Sequence, residues 1–323
     1  MLLGLALVSG ACLRFIDLGA YEMSADEGAS WAAAAQSSFA EVIDSQRRLN
    51  PAELGLHDVS LHYWIYLFGE SLTAMRALSA LCGTLSVLLT WLASRELLAL
   101  EADNGSAANS GEYREVTAGL AALMLAVNLI TLKYSRELRM YPLMLAMVLA
   151  QITCFLRAAR SGSVMSYLGA AIFAALAIAA HPMAVLVLVS EGVWLLYPLS
   201  QYRFKWSQPP VRRLFYLAAS IVAGIMLAAI AAYPILGSRH HPAHSGLLNW
   251  VQRPPLWEPF ALFNKGLGSV AFPVFAALAI FGAVRGWRRT RSAMLLVLFW
   301  MWLPPLALMA ASYAVRPVFV ERY

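Results

Sequence analysis

Apolar runs of membrane-spanning length recur along nearly the whole chain, and they limit its fold more than any other feature. A helix needs about 20 apolar residues to cross a bilayer, with roughly 17 to 25 tolerated. Nine segments come close: Met1 to Leu13, Ala77 to Leu98, Val116 to Leu132, Met140 to Leu156, Met165 to Ala180, Met183 to Leu199, Leu214 to Leu236, Leu267 to Val284 and Met294 to Tyr313. With 60% hydrophobic and 13% charged residues, the chain is too apolar for a soluble domain of ordinary composition. The prediction is an all-α integral membrane protein of about nine transmembrane helices, with residues 1–323 forming one domain.

The net charge of +6 could suggest a nucleic-acid partner, but Lys and Arg fall in short clusters between apolar runs rather than along one polar face. No nucleic acid is expected, and topology explains the clusters. Cys12, Cys82 and Cys154 each lie in an apolar stretch without a CxxC pair or a His at ligand spacing, which supports neither a disulfide framework nor a zinc site. The opening MLLGLALVSGAC resembles a lipoprotein signal only superficially, because it lacks a basic start and carries Ser9 where a large aliphatic residue belongs. It reads as a first membrane helix, with a few preceding residues expected to be missing.

With nine spans, the acid-free clusters Arg157/Arg160, Arg203/Lys205/Arg212/Arg213 and Arg285/Arg288/Arg289/Arg291 fall on one side, which the positive-inside rule makes cytoplasmic. The outer face then receives Arg14 to Arg76, Lys133 to Arg139, Ser238 to Lys265 and Val315 to Tyr323. The long first outer loop, residues 14–76, contains LHYWIYLFG (Leu61 to Gly69), too short to span but suited to an interfacial helix by its Trp and Tyr. A tenth span there would move the basic clusters outside. Glu101 to Glu115 on the inner side reads as a flexible connector.

Ionisable residues that could do chemistry gather in the outer loops. Ser24 and Glu27 in SADEG match a capping box, so a helix is predicted from Ala25 with Asp26 and Glu27 in its first turn. The two acids could simply complement the helix dipole. Alternatively, Asp26 is a general base or metal ligand at the membrane surface. In KYSRELRMYP, a helical continuation would put Glu137 and Tyr141 on one face, and Arg136 and Arg139 suit a phosphate, although interfacial anchoring accounts for them as well.

All six histidines fall on the outer side. His62 heads the proposed interfacial helix, and could touch acceptor or phosphate. The cluster His240, His241 and His244 has no metal-motif spacing or nearby acid and reads as a solvated loop. Glu191 lies deep in a predicted span and motivates a transporter reading.

SADEG, LHYWIYLFG followed by Arg76, SRELRMYPL and the late VERY, in that order, resemble the GT-C membrane glycosyltransferases. Within them, the chain looks like the branch with protein O-mannosyltransferases and the lipid A aminoarabinose transferase, glycosyltransferase family 39. The resemblance covers most of Arg14 to Leu143 and is topological from there to Arg322. It implies transfer, with inversion, from a polyprenyl-phosphate sugar to a hydroxyl of a glycan, lipid or protein, on the extracytoplasmic face of a bacterial plasma membrane.

Under that resemblance Asp26 takes the place of the catalytic acid, with Glu27 as its support or a metal contact. Glu137 falls in the second acidic region, where the local sequence departs from the aminoarabinose transferase. Its role stays open between a metal contact, a sugar contact and a pair with Arg139. Substrate contacts are expected from His62, Arg136, Arg139, Tyr141 and Arg322. A divalent cation, if one is used, would sit on Asp26 and Glu137. The family's Arg-Tyr step precedes further spans, so a C-terminal truncation after Tyr323 is expected. Two rival readings are a lipid-linked sugar flippase and an inactive assembly factor.

Overall fold

The computed structural model describes residues 1–51, 53–103, 111–201, 209–236, 252–269, 271–287 and 290–315. Among these the regular structure is helical and no strand occurs. In chain order the helices are α1 (Leu2–Phe15), α2 (Ala25–Ala34), α3 (Phe39–Leu49), α4 (Leu56–Phe68), α5 (Leu72–Asp103), α6 (Gly111–Ala126) and α7 (Leu129–Ser135). They continue with α8 (Tyr141–Ser161), α9 (Val164–Ala180), α10 (Val185–Gln201), α11 (Pro209–Leu236), α12 (Glu258–Leu267), α13 (Ala271–Gly286) and α14 (Arg291–Ala314).

Among the described residues five helices are long and apolar enough to cross a membrane: α5, α8, α10 with the turn before it, α11 and α14. The bent pairs α6/α7 (58°) and α12/α13 (109°) raise the number to seven if each pair is one span. α1 and α9, apolar but 14 and 17 residues long, fall short of about 20. Among the described residues, length and composition by themselves therefore support five to seven of the nine expected spans.

The segment Val116 to Leu132, expected as one helix, breaks after Ala126, and the Asn128 side chain caps α7 by accepting from the Thr131 N–H at 3.0 Å. A break exposes main-chain carbonyls that lipid cannot solvate. Arg14 supplies the donors, giving hydrogen bonds to the carbonyls of Ala126 at 2.9 Å and Leu125 at 3.2 Å, and it is fully buried. So Arg14, expected to open the outer loop, belongs to the bundle. Gly83 on α5 leaves room for it, since a Cβ there would collide with the Ser135 side chain and come within 2.9 Å of Arg14 Nε.

The main core joins α8, α9, α10, α11 and α14 around Phe155, Leu156, Leu188, Trp194, Leu217 and Leu296. Apolar burial drives helix association weakly in lipid, so close approach of small residues matters more. α9 buries Ala170, Ala171, Ala174, Ala177 and Ala180, and Gly224 of α11 meets it where any Cβ would strike Ala174 and the carbonyl of Ala171.

α5 and α8 pack together and carry polar residues at both ends. Arg76 and Arg95 on α5 lie 19 residues apart, as do Tyr141 and Arg160 on α8. At 1.5 Å per residue each separation is roughly 28 Å, close to one hydrocarbon thickness. The bundle thus has two polar ends, one fed by α2 to α4 and the other by the start of α6.

Candidate active site

At the first end, Ser24 Oγ accepts from the Glu27 N–H at 3.3 Å and Glu27 Oε2 accepts from the Ser24 N–H at 2.9 Å. This is the capping box the SADEG spacing predicts. The same carboxylate does more. Arg76 Nε donates to Oε1 at 2.8 Å and Arg76 Nη2 to Oε2 at 2.9 Å, while the Leu138 N–H donates to Oε1 at 2.8 Å. Glu27 is 2% exposed, and both oxygens are filled by donors from three separate parts of the chain.

Burial alone would raise the Glu27 pKa, but the Arg76 hydrogen bonds, then the Ser24 and Leu138 N–H groups, hold it down at about 2. The residue expected as support or metal contact is therefore a clamp. It fastens the start of α2 to α5 and to the turn before α8.

Arg139 forms a second clamp beside it. Its guanidinium donates to Glu53 Oε1 at 2.9 Å, to Ser30 Oγ at 3.0 Å and to the Asp26 carbonyl at 3.0 Å, and it is 8% exposed. Burial works to lower the Arg139 pKa, but the charges of Glu53, Tyr141 and Asp26 outweigh it and raise it. The expected phosphate ligand thus has its charge committed to Glu53. Arg136 donates to the Ile16 carbonyl at 2.9 Å from a half-buried position, tying down the chain just after α1.

Asp26 remains exposed in the first turn of α2, with its charge felt by Arg139. Glu137 lies in the turn between α7 and α8, not on a helical continuation, so it does not share a helix face with Tyr141. The reason is local: α7 ends at Ser135, and α8 starts only at Tyr141, with Pro142 in its first turn. The two acidic segments nonetheless meet through the Glu27–Leu138 and Asp26–Arg139 hydrogen bonds. Tyr141 is buried, with its ring 6.1 Å from that of His181 and 5.0 Å from that of Tyr134.

His62 sits in the middle of α4 rather than at its head, because the helix starts five residues early, after Gly55 in a left-handed conformation (φ 85°). Its Nδ1 lies 2.9 Å from the Ala34 carbonyl, at the far end of α2 from Asp26. Eight residues of helix put roughly 12 Å between those two ends. His62 instead lines a cleft of about 470 Å³ with Tyr63, Tyr66 and Glu70. Arg322, Tyr323, His240, His241 and His244 lie outside the described residues.

Sequence reasoning missed several members of this end. Arg76 entered only as a landmark, and Glu53, Asn50 and Asp58 not at all. Asn50 Nδ2 donates to Asp58 Oδ2 at 2.9 Å, and His57 Nδ1 lies 3.1 Å from Asp58 Oδ1, all of them buried. Two acids and a His in ELGLHD, just ahead of an aromatic helix, were the available signal. Glu53, His57 and Asp58 bring their ligand atoms within 4.8 Å of one another, the one such metal-capable group among the described residues. Neither Asp26 nor Glu137 belongs to it.

A smaller cleft of about 220 Å³ pairs Lys133 and Lys265 with Leu129, Ile130 and Tyr134. Lys265 is ion-paired with Glu258 at 3.1 Å, so Lys133 faces this apolar wall beside a cation that already has a partner.

No protein-family model matches the sequence, and a comparison with functionally characterised proteins finds no significant match.

Proposed function

We propose that the chain is a GT-C-type glycosyltransferase that moves a sugar from a polyprenyl-phosphate carrier to a hydroxyl acceptor at the extracytoplasmic face. The observation that carries the reading is an exposed carboxylate, Asp26, on a helix start held by two buried ion pairs, Glu27–Arg76 and Glu53–Arg139. A base that must take a proton from an acceptor hydroxyl needs access to substrate and a fixed position. In this reading nine helical segments cross the membrane, two of them short and two broken.

The acceptor oxygen attacks the anomeric carbon while Asp26 takes its proton. The bond from that carbon to the carrier phosphate breaks, and the phosphate leaves with the electron pair. Lys133, beside Leu129 and Ile130, is placed to stabilise a charged phosphate whose chain stays in lipid, with Lys265 held next to it by Glu258. Exposed Tyr66, Leu67 and Phe68 on α4 suit the headgroup level. Should the reaction use a divalent cation, Glu53, His57 and Asp58 are the residues grouped to hold it.

The flippase reading draws on one observation, Glu191 buried in α10 and accepting from Gln151 Nε2 at 2.8 Å. A single neutral partner on α8 accounts for that contact without transport. The test supplies membranes containing the protein with radiolabelled polyprenyl-phosphate sugars. Transfer of label to a hydroxyl acceptor is expected, and lipid-linked label that only changes leaflet would favour the flippase.

A further inference from the structure

The second polar end is independent of this reaction. A cavity of about 430 Å³ opens there, lined by Arg95 and Glu96 of α5, Arg114 and Glu115 of α6, and Arg157 and Arg160 of α8. Four guanidinium groups against two carboxylates leave a net charge of +2. Glu96 is 14% exposed and is shared by Arg160 at 3.0 Å and Arg157 at 3.4 Å, so one carboxylate faces two cations. Glu115 takes Arg95 at 2.8 Å. Guanidinium groups fixed in this way on α5 and α8, with Arg114 of α6 lining the same cavity, match a phosphate, which accepts their paired N–H donors.

The wall toward the membrane middle decides which phosphate. Leu92 lines the cavity, and Leu88, Leu85 and Leu81 continue from it at helical spacing on the same face of α5 as Arg95 and Glu96. Leu85 is 40% and Leu81 48% exposed, an apolar stripe leading away from the charged cavity. A free inorganic anion has no use for such a stripe, whereas an acyl chain does. We propose that this end binds an anionic phospholipid, with its phosphodiester headgroup among Arg95, Arg114, Arg157 and Arg160 and a chain along the α5 leucines.

The test uses purified full-length protein in nonionic detergent micelles, incubated separately with radiolabelled phosphatidylglycerol, phosphatidylcholine of the same chains, and orthophosphate. Phosphatidylglycerol should be retained well above phosphatidylcholine. A cation near a lipid surface contributes about fivefold in affinity, so Arg114→Gln with Arg157→Gln should weaken retention about 25-fold. Should the double variant fail to fold, Arg157→Gln alone, at a side chain 61% exposed, should still lose about fivefold. Equal retention of the two lipids, undiminished binding in a folded variant, or orthophosphate binding as tightly as phosphatidylglycerol would each overturn the proposal, the last by making it a free-anion site.

Discussion

The two polar ends of the bundle use the same residue types in opposite ways. At the α2 end, Glu27–Arg76 and Glu53–Arg139 are buried, with carboxylate exposures of 2% and 3%. At the other end, Arg95–Glu115 leaves both side chains more than 40% exposed, and Arg157 is 61% exposed. Buried pairs cost a great deal to half-dismantle, because the remaining charge has no solvent, while exposed pairs contribute little. The contrast teaches that the first end is built to hold a shape and the second to meet something outside the protein.

The strongest way to break this comparison is Arg76→Met. It strands the Glu27 carboxylate in a buried position, and a loss of about 3–5 kcal/mol of stability is expected in denaturant or thermal unfolding. Adding Glu27→Leu should cost less than the two changes summed, by about 0.5–3 kcal/mol. Additive costs would show that the two side chains do not depend on each other.

Asp26 separates shape from chemistry within the same end. Asp26→Asn should lower transfer activity roughly 10²-fold or more while leaving the melting temperature near that of the parent, because the hydrogen bond from Arg139 to the Asp26 carbonyl is kept and only the attraction of an exposed charge for Arg139 is lost. Near-normal turnover would reduce Asp26 to a helix-start acid.

Acid should then loosen the first end in a defined window. The Glu27 pKa is depressed in the folded state, from 4.5 to about 2, so its contribution is present above pH 4.5 and is lost as pH falls toward 2. Thermal unfolding of Glu27→Gln against the parent across that range should show the difference between them shrinking as pH drops. A constant difference would mean that the carboxylate charge is not what matters.

The smallest effect belongs to the second end, where Arg95→Ala should change stability by less than about 1 kcal/mol, and by still less in high salt. A loss comparable to that of Arg76→Met would erase the contrast.

Much of the helical plan was legible in the apolar runs, and the capping box of α2 could be read from Ser24 and Glu27 alone, because both signals are local and follow helical spacing. The break of α6/α7 was not legible, since Asn128 sits inside a run hydrophobic enough to pass for one span, and its tolerance depends on Arg14 from another helix. The shared helix face of Glu137 and Tyr141 failed for a local reason, a turn closed by Pro142 that the helical continuation overlooked. For the site, sequence supplied candidates without supplying their state. That Asp26 is exposed while Glu27, one residue later, is buried against Arg76 and Leu138 follows from the hundred-degree turn between neighbours on a helix. Which face of α2 meets α5 was decided only when the bundle packed. Sequence by itself therefore determined that the chain is helical, apolar and charged at its loops. Tertiary structure alone decided which charges are spent on each other, because a buried ion pair depends on partners that chain order does not bring together.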